Sequence, residues 1–203
     1  MKLFLTSHYL NDKHFNAFRD LMGKHKALKA LFITTASVPY GYEPKPQWLT
    51  ESLDDMSILT ENYDETTLEK EDFIPDDLGQ YDFIFVAGGN SFYLAYRLAE
   101  TGMDKKIKKY IADDGIYSGS SAGAVVLMEN IEYFAPADDL SKSPRVYPGL
   151  GIISGAVIPH VDSKKYADIM QDIADKYKRE GKEIFLLNDN QVLIIDSDRK
   201  NIL

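Results

Sequence analysis

The chain of 203 residues contains no cysteine. That excludes disulfides, thiolate metal sites and a cysteine nucleophile. Positive charge is also in short supply: 23 Lys and Arg stand against 32 Asp and Glu, a formal net charge of −9. Such a surface repels nucleic-acid phosphates. The short basic runs Lys105-Lys106 and Lys108-Lys109 fall on an apparent helix face, where a solvated surface accounts for them. No apolar run approaches the ~20 residues of a bilayer span. The opening residues 1–7 are too few for a signal-peptide core, and no cleavage pattern follows them. A cytoplasmic protein with no nucleic-acid and no membrane partner is expected. Repeats, low-complexity tracts and linkers are absent as well, so residues 1–203 are expected to form a single domain. The chain is 44% hydrophobic, enough to bury a core without staples.

Apolar runs at 3–6, 30–34, 81–87, 115–118, 151–159, 184–187 and 191–195 read as strands, with a weaker one at 57–59. Between them lie helical spacings at 11–23, 47–56, 92–98, 103–113, 124–128 and 163–180, and a short helical stretch at 66–68. Strands that are apolar throughout and alternate with helices predict an α/β fold. Its expected form is a three-layer sandwich with a mostly parallel central sheet. Right-handed crossovers then bring the C-terminal ends of the strands to one edge, where chemistry gathers in such sheets. Gly88-Gly89-Asn90, Ser121 and His160 all fall at expected strand ends, and Asn188-Asp189-Asn190 reads as a turn between the last two strands.

Gly119-x-Ser121-x-Gly123 has the pattern of a strand turning sharply into a helix with a serine at the tip. Side chains at the flanking positions would clash, and the helix N-terminus favours negative charge developing beside the hydroxyl. The Ala122 amide is placed to donate to an oxyanion. The alternative is a glycine-rich turn that binds phosphate. Gly88-Gly89-Asn90 supplies a second turn, with the Gly89 amide favoured as the other oxyanion donor, Gly88 as its substitute, and Asn90 as a helix cap. A serine needs a base, and the chain has only four histidines. His160 is preferred because it ends an apolar run and follows Pro159. His8 stays open, since it follows the first strand, while His14 and His25 read as surface residues. For the acid that orients the base, Asp139 is favoured narrowly over Asp138, giving the order Ser…Asp…His. Glu129 and Glu132 share that interval but read as exposed. Tyr40, Tyr42 and Trp48 either line a pocket or anchor their loop.

Together, Gly88-Gly89-Asn90, Gly119-Ser120-Ser121-Ala122-Gly123 and Pro159-His160 resemble peptidase family S51, which includes dipeptidase E and the cyanophycinases. The resemblance implies a fold like that of the class I glutamine amidotransferases, flavodoxin-like, with serine where those enzymes use cysteine. It also implies a Ser-His-Asp/Glu triad and no metal or cofactor. Carried over by motif, the nucleophile is Ser121, the base His160, and the oxyanion donors Gly89, Gly88 and Ala122. The implied partner is a short peptide, and a homodimer is compatible with the pattern. Dipeptidase E takes peptides with an N-terminal aspartate and carries arginine after its histidine. Here the first arginine after His160 is Arg179, so Lys164 or Lys165 would have to hold an acidic side chain, without arginine's bidentate fork. Two other readings compete: a small esterase of the α/β-hydrolase type, and a non-catalytic amidotransferase-like module that binds a small molecule or partner.

Overall fold

The computed structural model describes residues 1–70 and 72–203. Seven strands form the main sheet: β1 (Lys2–Thr6), β2 (Ala27–Ile33), β3 (Thr60–Thr66), β4 (Phe83–Val86), β5 (Ile116–Ser120), β8 (Val192–Asp196) and β9 (Arg199–Ile202). They lie in the order β3-β2-β4-β5-β1-β8-β9. The five from β3 to β1 run parallel, and β8 and β9 are antiparallel additions at one side. Two short strands, β6 (Ala156–Ile158) and β7 (Ile184–Leu186), pair in parallel as a separate sheet.

Period-two alternation divides the buried side chains of the central strands between two faces. Leu3, Leu5, Leu31, Ile33, Ile84, Val86 and Tyr117 face one way, packing with α3 (Ser91–Thr101), α4 (Met103–Ala112), α5 (Ala122–Val125) and α6 (Ala167–Arg179). Phe4, Phe32, Phe83 and Phe85 face the other, against α1 (Asp12–Met22) and α2 (Gln47–Ser57). The result is the expected three-layer α/β sandwich. Helix ends follow local chemistry. Asn11 caps α1 by accepting from the Lys13 and His14 amides, and Gly23 ends it in the left-handed region. Asn90 does the same for α3 through the Tyr93 amide.

Several expectations shift. The third strand is not 57–59 but β3, whose sequence TENYDET carries no apolar alternation. It is an edge strand, held by β2 on one side and by stacking of Tyr63 on Phe32, with centroids 4.3 Å apart. Residues 66–68 form no helix: Thr66 ends β3 and Leu68 has φ of 57°. The run 151–159 narrows to β6, and α6 begins four residues later than 163. Strand β9 gave no apolar signal because all four of its residues are exposed. His14 is buried rather than a surface residue. Among the described residues, no helix is long and apolar enough to cross a membrane.

Candidate active site

The site is assembled from the ends of parallel strands. In the register of β1 with β5, Thr6 pairs with Ser120, so Ser7 and Ser121 emerge side by side. In the register of β4 with β5, Val86 pairs with Gly119, which brings Gly88 alongside Ser121. A Cβ on Gly88 would lie 3.2 Å from the Ser121 Cβ.

Ser121 sits at φ 49° and ψ −109°, a strained conformation for a residue with a side chain. Its amide is tied to the Thr6 carbonyl at 3.0 Å, and α5 starts at the next residue. The glycines of the motif are explained by backbone approach. A Cβ at Gly123 would stand 2.1 Å from the Val86 carbonyl oxygen, and one at Gly119 would stand 2.5 Å from the Gly123 carbonyl oxygen. Beneath the turn, the fully buried Tyr117 donates its hydroxyl to the Gly123 carbonyl at 2.6 Å. Gly89 has φ of 132°, and a Cβ there would be 2.1 Å from the Ala36 carbonyl. The amides of Gly88, Gly89 and Ala122 donate to no protein carbonyl among the described residues, and all three residues line the cavity beside Ser121.

Ser121 Oγ lies 2.8 Å from His160 Nε2. The imidazole's other nitrogen, Nδ1, lies 2.6 Å from Asp189 Oδ1. This juxtaposition also comes from register. Parallel β6 and β7 pair Ile158 with Leu186, so His160 and Asp189 leave the ends of neighbouring strands together. Ser7 closes the cluster. Its hydroxyl accepts the His160 backbone amide at 2.8 Å and donates to Asp189 Oδ1 at 3.0 Å. The Asp189 amide in turn donates to Asp162 Oδ1 at 2.9 Å. The bond from His160, helped by that from Ser7, outweighs burial and holds the Asp189 carboxyl below its ordinary pKa.

The structure brings neither expected acid to the imidazole. Asp139 is exposed and caps a single 3₁₀ turn through Ser141, at 2.9 Å to its amide, and it does not reach the imidazole. Asp138 lines the cavity, yet its Oδ2 is engaged by Ser91, whose amide donates at 2.8 Å and whose hydroxyl donates at 2.5 Å. The chain order is Ser…His…Asp, which departs from the Ser…Asp…His order of the α/β-hydrolases. The only sequence signal for Asp189 was a carboxylate in a polar turn after an apolar run. Ser7 had no motif, only its place at the end of the first strand.

The cavity measures about 430 Å³. Tyr40, Trp48, His8, Phe134, Lys165 and Met170 are among its walls. Tyr42 is not: it hydrogen-bonds Thr34 and Glu65 instead. Lys165 is exposed at the rim, its Nζ donating to the Tyr166 hydroxyl at 2.7 Å, while Lys164 is not part of the lining. The His8 ring stands edge-on to that of His160, with ring centres 6.3 Å apart. Desolvation holds the His8 pKa below its usual value, and its Nδ1 has no hydrogen-bond partner among the described residues.

The family model of peptidase family S51 matches residues 3–203. The chain belongs to peptidase family S51. An uncharacterised peptidase of Listeria monocytogenes is 32% identical over 95% of this chain and 93% of its own length. One of Pasteurella multocida is 28% identical over 99% and 96%. Among solved structures, a L. monocytogenes EGD-e protein described as a candidate peptidase E superposes with a TM-score of 0.79 at 26% identity. That match covers 100% of this chain and 97% of the other. A peptidase from an acI-B1 actinobacterium shares the fold with a TM-score of 0.66 at 18% identity, over 100% and 86%. The S51 chain is thus a serine-peptidase-family hydrolase with the class I glutamine amidotransferase-like fold.

Two predictions follow from the packing of this S51 site. Gly123→Ala forces a methyl group into the Val86 carbonyl and should lower stability by about 1–3 kcal/mol or more, read as a fall in the urea midpoint of unfolding. Asp189 is favoured as the anion in the folded chain. Its contribution is complete above the unfolded-chain pKa of about 3.9 and fades as pH falls through the lower folded value. Asp189→Asn should accordingly be less stable than wild type at pH 6, with the gap closing below about pH 4 in paired denaturation curves.

Proposed function

We propose that the protein hydrolyses short peptides by acyl transfer at Ser121. The observation that carries this reading is the unbroken line from Ser121 Oγ through His160 to Asp189, at 2.8 Å and 2.6 Å. His160 Nε2 takes the proton as Oγ attacks the scissile carbonyl. Asp189 accepts from Nδ1, fixing the tautomer and stabilising the imidazolium. The uncommitted amides of Gly89 or Gly88 and of Ala122 receive the oxyanion, at the point where negative charge develops. His160 then hands its proton to the departing amine as the C–N bond breaks. Water, deprotonated by the same imidazole, releases the acyl group from Ser121. A cavity of about 430 Å³ lies in the small-molecule range of roughly 300–1,000 Å³, which supports a substrate of a few residues rather than a folded protein.

Preference for an acidic first residue belongs to the same proposal. Lys165 is the cation at the cavity rim, and its four-carbon stem lets it reach inward. Lys165→Met should then erase any preference for Asp over Ala at the first position of a dipeptide panel. An unchanged ratio would remove Lys165 from the specificity.

The triad assignment is tested by three variants. Ser121→Ala should lose roughly 10⁴-fold to 10⁶-fold in kcat together with labelling by a fluorophosphonate probe. Asp189→Asn should lose about 10⁴-fold, as when a triad carboxylate is made neutral, whereas Asp139→Asn should stay within about twofold, as an exposed cap remote from the imidazole. Full peptide hydrolysis by Ser121→Ala would end the proposal, and a large loss in Asp139→Asn would restore that residue as the acid.

A further inference from the structure

Residues 6–9 form a strap that touches every member of the line from Ser121 to Asp189. The Thr6 carbonyl accepts the Ser121 amide at 3.0 Å, and the Tyr9 amide donates to the Asp189 carbonyl at 2.7 Å. Ser7 lies between these anchors, its own amide donating to the Gln191 carbonyl at 3.3 Å. A buried serine hydroxyl is most simply satisfied by a carbonyl of its own segment. That of Ser7, which is buried, instead reaches residues 153 and 182 positions away. It accepts the His160 amide at 2.8 Å and donates to Asp189 Oδ1 at 3.0 Å. The same Oδ1 meets His160 Nδ1 at 2.6 Å, and Ser7 Oγ stands 3.4 Å from that nitrogen. Hydroxyl, imidazole and carboxylate thus close a triangle, with two donors converging on one oxygen.

We propose that Ser7 is a positioning residue for the reaction: its one hydroxyl holds both the main chain that carries the imidazole and the carboxylate that orients it. The inference rests on the reading of acyl transfer at Ser121 and adds the residue that keeps the base in place. His160 has φ of 60°, a conformation that a residue with a side chain keeps only when its surroundings fix it. The Ser7 oxygen, by accepting the His160 amide, supplies one such fixed point. Asp189 sits in a polar turn, where nothing local decides which of its oxygens faces Nδ1. The bond from Ser7 decides it, and as a bond to a charged acceptor it favours the anion. Removing the hydroxyl frees both groups together: the amide loses its acceptor and the carboxylate loses one of two donors. The ring can then drift from Ser121 Oγ, and the tautomer with the proton on Nδ1 is no longer enforced. Because the effect runs through His160 and Asp189, it falls on the chemical step and spares substrate binding.

The experiment compares wild type, Ser7→Ala and Ser7→Thr by kcat and KM on Ala-Leu and Asp-Leu, by the rate of fluorophosphonate labelling, and by nitrogen NMR of isotope-labelled histidine. Ser7→Ala should lose roughly 10-fold to 100-fold in kcat and in labelling rate, the scale of displacing a reacting group by up to 1 Å. Its KM should stay within about twofold. The NMR shifts should place the proton of neutral His160 on Nδ1 in wild type and on a mixture of both nitrogens in Ser7→Ala. Ser7→Thr, which keeps the hydroxyl, should recover most of the rate. Wild-type kcat in Ser7→Ala, a loss confined to KM, or a folded Ser7→Thr as slow as Ser7→Ala would overturn the proposal and leave the triad standing. Labelling without peptide hydrolysis in wild type would remove the peptidase reading alone. The labelling rates would then still decide: a loss in Ser7→Ala regained in Ser7→Thr supports the role of Ser7, and equal rates refute it. Absence of both activities in wild type brings down both readings. Should Ser7→Ala fail to fold, Ser7→Cys is read in the same way, since a thiol fills the space but bonds weakly. If neither variant folds, Ser7 serves the fold alone and the proposal falls.

Discussion

The site depends on how closely the main chains of β4, β5 and α5 approach one another beneath Ser121. A Cβ at Gly123 would lie 2.1 Å from one carbonyl, and at Gly119 it would lie 2.5 Å from another, so this contact exists only because both residues lack a side chain. The close approach leaves the chain no room for a gradual turn. Ser121 is forced to φ 49°, and its hydroxyl stands above the sheet instead of lying in it. The strain is held from three sides: by the Thr6 carbonyl, by the helical bonds to the Ser121 carbonyl from the Ala124 and Val125 amides at 2.9 Å, and by the buried Tyr117 hydroxyl under Gly123. A backbone so over-determined has little freedom to relax, and that fixes the position of the Ser121 oxygen before any ligand arrives.

Two sheets meet over that oxygen. The main sheet delivers Ser7, Gly88 and Ser121, and the small β6–β7 sheet delivers His160 and Asp189. The Ser7 hydroxyl joins them, accepting from the His160 main chain and donating to the Asp189 carboxylate. Ser7 itself is buried, so packing holds its hydroxyl in place for both bonds. The left-handed φ of 60° at His160 belongs to the same junction: it turns the chain off β6 so that its amide meets Ser7 while the ring reaches Ser121. Register within each sheet and one hydroxyl between them are sufficient to bring five residues from distant parts of the chain into contact.

What the sequence revealed follows from the range over which each signal acts. Strand ends, the glycine-flanked serine and His160 were legible because apolar runs and close-packed turns leave local marks. Strand β3 was misplaced because an edge strand with one exposed face needs no apolar pattern, and β9 was invisible because it is exposed throughout. The carboxylate that meets His160 was missed for a different reason. Asp189 becomes a partner of His160 only through the parallel pairing of β6 with β7, a contact between segments separated by α6. Nothing within Asn188-Asp189-Asn190 distinguishes such a carboxylate from a turn former. The stretch between Ser121 and His160 offers Asp138 and Asp139 beside Glu129 and Glu132, and a local pattern does not tell a triad acid from a solvated loop carboxylate. The interval did contain a carboxylate of the site, but one attached to α3 rather than to the imidazole.

The placement of these two carboxylates has an electrostatic consequence for the proposed reaction. Asp189 touches His160 and is held as an anion by it, so its charge is already committed before a substrate enters. Asp138 lines the same cavity but gives its Oδ2 to Ser91 at the start of α3, so it does not compete with Asp189 for the imidazole. In the proposed reaction Asp189 is the carboxylate placed to stabilise the imidazolium that forms as Ser121 attacks.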